Sequence, residues 1–192
     1  MKSKMKNVTI LMLVAMVTFS FTAIREVKKE IKTDKSTVVW KGYKVTGSHE
    51  GTISIKSGDL LFDEDKLTGG NFVIDMASIT VTDLEGDYKG KLEGHLKSDD
   101  FFGVANHPTA SLVFTNVESS GKNSYNVTGD LSIKGITHPI DFSISIYGSK
   151  ATASLKIDRS KYDVKYGSTS FFDGLKDKAI YDEFDLVSDL EF

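Results

Sequence analysis

Cysteine is absent from the chain, proline occurs twice and tryptophan once. Without a thiol there is no disulfide, no cysteine nucleophile and no zinc–thiolate site. Long apolar runs are equally scarce. The single one, Val8 to Phe21, falls short of the roughly 20 residues that span a bilayer. It follows Lys2, Lys4 and Lys6 and contains or adjoins the small residues Ser20, Thr22 and Ala23. That is the plan of a secretory signal peptide over residues 1–23. With no Cys behind the run, a lipoprotein anchor is excluded. Removing the segment takes Lys+Arg from 24 to 21 against 27 acids, a net charge near −6. Such a balance argues against nucleic acid or an anionic membrane surface as the main partner. Export without cysteine predicts a fold that needs no disulfide in a periplasmic or secreted setting.

Residues 24–35 are charged and aperiodic and read as a flexible leader; residues 36–192 read as one domain. From Ser36 onward the apolar residues recur with period two. Val38 and Trp40 share a face, then Ile53 and Ile55, with Ser57-Gly58 as a bulge before Leu60-Leu61-Phe62. Phe72, Ile74 and Met76 follow, then Leu112 and Phe114, then Val127, Leu131 and Ile133. The last three runs are Ile140 to Ile146, Ala153 to Ile157, and Phe184 to Leu190. Turns are marked at Asp63 to Lys66, Ser119 to Asn123, Gly135 to Pro139 and Gly148 to Lys150. Eight amphipathic strands joined mostly by hairpins predict an all-β, antiparallel sheet. Closing it into an eight-stranded barrel removes both exposed edges.

One stretch breaks the rhythm, between strands three and four. Leu84, Tyr88, Leu92, His95 and Leu96 recur at helical spacing. Thr82 and Glu85 form a capping-box pair, so the helix is expected to start near Asp83. Gly86, Gly90 and Gly94 form a strip that implies either very close packing or a weak helix. Asp99 and Asp100 are expected to cap a turn carrying Phe101 and Phe102, and Asn106-His107-Pro108 ends it. A single helix in an all-β chain is most simply a lid.

Four segments carry a family likeness: VVWKGYKVTGSHEGTISIKSGDL (38–60), HLKSDDFFGVANHPTASLVF (95–114), VTGDLSIKGITHPIDFSI (127–144) and IDRSKYDVKYG (157–167). Together, and in this order, they resemble the YceI-like family of secreted polyisoprenoid-binding proteins. The resemblance implies a lipocalin-like barrel with a helical segment over one end. It also implies a long apolar cavity for an isoprenoid chain, such as a quinone tail or a polyprenyl phosphate, and no cofactor beyond that ligand.

The candidate cavity residues are Trp40, Phe72, Met76, Leu112, Phe114, Phe142 and Phe184 on the strands and Leu92, Phe101 and Phe102 on the lid. Phe171 and Phe172, in a long loop, are candidates for the cavity mouth. Apolar walls with few polar groups suit a hydrocarbon chain, but the same residues would serve equally as a packed core. His95, Arg159 and Tyr162 are candidate head-group contacts. His95 fits a hydrogen-bonded place in the lid–barrel seam as well. Arg159 fits either a bidentate contact to phosphate or carboxylate, or an internal pair with Asp99 or Asp100. There is no Gly-x-Ser-x-Gly elbow and no pair of histidines at metal-ligand spacing, so neither a catalytic nor a metal site is assigned. Asn126-Val127-Thr128 is a glycosylation-type triplet of low specificity.

The sequence therefore favours a soluble carrier or sequestering protein for an amphipathic isoprenoid lipid, with a homodimer as one option for its assembly. A small outer-membrane barrel and an enzyme acting on a small lipid are the alternatives.

Overall fold

The computed structural model describes residues 26–192, and the export segment expected at residues 1–23 lies outside them. The strands are β1 (Glu26–Glu30), β2 (Thr37–Lys44), β3 (Gly47–Asp63), β4 (Lys66–Val81), β5 (Thr109–Ser119), β6 (Ser124–Ile133), β7 (Ile136–Tyr147), β8 (Lys150–Asp158) and β9 (Ile180–Glu191). Helix α1 spans Gly86–Lys97, between β4 and β5. Strands β2 to β9 each pair antiparallel with their neighbours, and β9 pairs back onto β2. The result is the closed eight-stranded antiparallel barrel that the alternation predicts, with its helix where the period changes.

Inward positions are apolar along every strand: Val38, Ile53, Ile55, Val127, Leu131, Ile144 and Ile157 are all at most 9% exposed. Outward positions on β7 and β8 are Thr137, Asp141, Ser143, Thr152, Ser154 and Lys156, all exposed. A membrane-spanning barrel needs an apolar outer band, and this polar outer wall contradicts the outer-membrane alternative.

Three local expectations are corrected. Residues 26–30 are not a flexible leader: β1 pairs with Asp59 to Asp63 of β3, taking over the edge that β2 leaves. Ile31 N then donates to Gly58 O at 2.9 Å and Lys32 N to Glu191 O at 2.7 Å. Helix α1 does not start at Asp83 with a capping box. Thr82 stays tied to β3, donating through both N and Oγ1 to Glu50 O, while Asp83 meets His49 at 2.9 Å. The turn expected at Gly135 to Pro139 is only Lys134-Gly135, both with positive φ, because a two-residue type I′ hairpin suffices there.

The glycine strip of α1 packs against nothing, since a Cβ at Gly86, Gly90 or Gly94 would find open space. The helix is therefore intrinsically weak and is held by tertiary contacts. Leu96 is buried beneath it. Glu93 accepts from Thr80 Oγ1 at 2.6 Å and Val81 N at 2.9 Å, which pins α1 to the end of β4. Tyr88, expected on the apolar face, is 75% exposed.

Candidate functional site

Large side chains lie flat on the barrel wall because glycines on adjoining strands make room for them. A Cβ at Gly51 would come within 2.6 Å of the Trp40 ring, one at Gly58 within 2.8 Å of Phe72, and one at Gly70 within 2.8 Å of Phe114. Gly51 faces Trp40 and Gly58 faces Phe72 in the strand registers. Rings laid over glycine take volume from the wall and leave the axis open.

Two apolar chambers follow along that axis. The upper, beneath the lid, has a cavity volume of about 130 Å³. The lower has about 80 Å³. Val38, Ile74, Leu131 and Leu186 line both and form the waist between them. Both are narrow, well short of the roughly 300–1,000 Å³ of drug-sized ligand sites. Phe62 and Phe192, with ring centroids 5.5 Å apart, and Tyr125 are buried in the core at the end of the barrel away from the lid.

Trp40, Met76, Phe101, Phe102 and Phe184 line the upper chamber; Phe72, Leu112, Phe114 and Phe142 line the lower. Leu92 packs onto the core from α1 but reaches neither chamber. Phe171 and Phe172 do not close the mouth. They are 43% and 50% exposed, because both backbone amides donate to Ser168 O and the turn faces their rings outward. Lys165 Nζ lies 5.3 Å above the Phe171 ring, and Phe172 borders an outer groove with Asp99, Asp100 and Lys165.

The polar candidates separate as clearly. Arg159 borders the upper chamber and is 2% exposed; among the described residues it and Tyr181 are the only ionisable residues on either wall, yet the wall shows almost no polar surface, so the charged nitrogens are not presented to the space. Its partners are not Asp99 or Asp100. Nη1 donates to Val164 O at 2.8 Å, Nη2 to Ile180 O at 3.0 Å and Nε to Tyr181 O at 3.2 Å. Asp182 Oδ1 stands 3.3 Å from Nη2 as a charge neighbour without hydrogen-bond alignment, and Asp182 Oδ2 accepts from Ser170 Oγ. Burial lowers the guanidinium pKa, and the carboxylates of Asp182 and Asp158 oppose that shift. The guanidinium also faces the Phe101 ring at 5.4 Å.

His95 and Tyr162 reach neither chamber wall. The His95 ring is in the lid seam, edge-on to Tyr166 at 4.3 Å and Phe101 at 5.7 Å, but its buried Nε2 has no hydrogen-bond partner. Tyr162 is 2% exposed against His138, and burial raises its phenol pKa. Asp99 does not cap the phenylalanine turn. Ser98 O accepts from Phe101 N and Gly103 N instead, and Asp99 accepts from Asn106 Nδ2. Wall residues outside the sequence-derived site set include Ile79, turned inward by a break in the β4 register, and Gly42. Alternation flags Gly42 as an inward position on β2, two residues beyond Trp40.

A closed, polar-surfaced barrel with a stacked apolar interior defines the lipocalin-like class of fold. Within that class, a family model described as the YceI-like domain matches residues 30–192, and the chain belongs to that family. It is similar to a UPF0312 protein of Azotobacter vinelandii, 30% identical over 98 residues, which cover 51% of this chain and 49% of the relative. A second UPF0312 protein, from Pseudomonas putida strain W619, is 33% identical over 87 residues, 41% of this chain and 45% of that one. The chain thus spans about half the length of these curated relatives. Among solved structures, Burkholderia cenocepacia BcnA superposes with a TM-score of 0.66 at 25% identity, covering 83% of this chain and 98% of that one. A polyisoprenoid binding domain from Saccharophagus degradans gives 0.60 at 15% identity, over 84% and 95% of the two chains, and shows the shared fold.

Proposed function

We propose that the protein binds the apolar chain of an isoprenoid lipid, quinone or polyprenyl in type, within its two stacked chambers and carries or sequesters it in a periplasmic or secreted setting. The observation that carries this reading is the interior itself. It is a two-chamber space with almost no polar wall surface. A slender hydrocarbon chain gains by leaving water for such a space. The family membership and the polyisoprenoid-binding description of the Saccharophagus neighbour favour the same ligand class.

Catalysis has less support. Ser111 and Ser188, the hydroxyl-bearing residues of the lower chamber, have no histidine or carboxylate beside them on its wall, and hydroxyl nucleophiles need an adjacent base.

Trp40 tests the reading, because it is the one tryptophan and lines the upper chamber. A short-chain ubiquinone should quench its fluorescence saturably, and a polyprenyl alcohol of similar length, which does not quench, should restore it by competition. A buried, blue-shifted tryptophan that neither compound perturbs would refute the proposal. Mass spectrometry of an organic extract of the purified protein would then identify the natural ligand.

A further inference from the structure

We infer that the ligand enters and leaves through the seam between β2 and β9, not past the lid; this rests on the chambers being the ligand site. The lid is sealed. Leu96, Phe101, Phe102 and Val104 are at most 8% exposed, and Phe102 N and Val104 N tie their turn to Leu96 O and Lys97 O.

Two register breaks interrupt the barrel beside the upper chamber. In β4 the residues Met76 to Ile79 bulge between the rungs Ser54–Asp75 and Thr52–Thr80. That break is closed: Ser78 Oγ accepts from Ser54 N at 2.8 Å and donates to Asp75 O at 2.6 Å, while Met76 and Ile79 both turn inward as wall.

The second break is between the rungs Gly42–Phe184 and Lys44–Ile180, where Tyr43 has no register partner in β9 and Tyr181 to Glu183 have none in β2, and beside it the Tyr43 hydroxyl donates across to Asp185 Oδ2 at 2.6 Å. Here the carbonyls of Ile180 and Tyr181 are taken by Arg159. Nothing fills the inner side, because Gly42 brings no side chain and a Cβ there would meet no atom within 4 Å. Gly42, Ile180, Tyr181 and Phe184 all line the chamber. Tyr181 is 54% exposed, so the same residue borders both chamber and solvent. Arg159 holds this break in place, and Tyr181 stands at it between chamber and solvent.

A reversible staple tests the route. Antiparallel partners such as Lys44 and Ile180 have Cα atoms about 4.5–5.5 Å apart, within the span of about 4.4–6.8 Å that a disulfide bridges. With no native cysteine, the double variant Lys44→Cys/Ile180→Cys forms one defined bond. Stopped-flow quenching of Trp40 by a short-chain ubiquinone then reads both rates in the oxidised protein and in the reduced, desalted protein. The staple should slow association and dissociation together, on the order of tenfold, with full recovery on reduction. Tyr181→Ala should speed both. Saturable quenching with rates that ignore the staple and the Tyr181 change would overturn the route alone. Absence of saturable quenching in the unaltered protein would overturn the chamber reading beneath it.

Discussion

Replacing Arg159 by leucine should destabilise the fold by about 3–5 kcal/mol, the range for stripping a buried charge network of one partner. The figure follows from what remains behind. Three carbonyls, of Val164, Ile180 and Tyr181, lose their donor in a region where Val164 is fully buried and Arg159 itself is 2% exposed. An orphaned buried acceptor costs about 1–3 kcal/mol. The three costs do not add fully, because the loop can shift to meet water at the more exposed Tyr181. Asp182 is a different matter. Its side chain is 16% exposed and keeps the Ser170 hydroxyl, so Asp182→Asn should cost less than about 1 kcal/mol. Asp99→Asn and Asp100→Asn should leave the Arg159 anchor untouched. Urea unfolding followed by Trp40 fluorescence measures all four, with an unchanged m-value confirming that the same transition is compared. If Arg159→Leu loses under about 1 kcal/mol, or Asp182→Asn loses as much as Arg159→Leu, the backbone-anchor reasoning is wrong.

Glycine-to-alanine changes should act with opposite signs at two positions. Gly51→Ala places a Cβ at 1.8 Å from Thr80 O, a backbone atom of the neighbouring strand, and should cost about 3 kcal/mol or more in thermal or urea unfolding. Gly90→Ala on the open side of α1 should instead stabilise by about 0.5–1 kcal/mol. Hydrogen bonds from Thr80 and Val81 hold the Glu93 carboxyl below its ordinary pKa. That stabilisation is present above the unfolded-state value of about 4.3 and is lost as pH falls through the lower folded value. Hydrogen-exchange protection factors along α1, taken relative to the intrinsic rate at each pH, should therefore fall on acidification, and Glu93→Gln, which keeps an acceptor but no titration, should flatten the dependence; an unaltered acid response in that variant would reject the docking role.

The barrel was legible because period-two alternation fixes which side of each strand is buried, and closure then follows from the cost of open edges. The wall aromatics Trp40, Phe72, Phe114, Phe142 and Phe184 were legible for the same reason. What alternation does not encode is backbone rearrangement. Strand β1 gives no sequence signal because its pairing to β3 buries little. Val27 is 45% exposed, and Lys29 contributes by lying 4.5 Å above the Phe62 ring. The pair with Asp99 or Asp100, one of the two options open for Arg159, does not form because the guanidinium's partners are main-chain carbonyls, and carbonyls carry no residue identity. Phe171 and Phe172 were misplaced because their direction is set by the turn at Ser168, which is wholly buried and holds both amides.

The same limit explains why the sequence left core and cavity undecided. An eight-stranded barrel is narrow enough for its own side chains to fill it, and this chain supplies ample aromatic volume. A list of inward residues therefore points to a packed interior. The registers qualify that conclusion. Trp40 and Phe72 each stand opposite a glycine on the adjoining strand, Phe114 lies over Gly70, and Leu112 crowds Gly129 at 2.9 Å from where a Cβ would be. Each of these side chains occupies space that a neighbouring Cβ would otherwise claim, so it adds to the wall without crossing the axis. A ring over glycine also shields the backbone hydrogen bonds that a bare glycine exposes, which offsets the strand-weakening effect of that residue. Large residues paired with glycines across the strands thus leave two narrow spaces along the axis, a feature of the pairing that composition does not reveal.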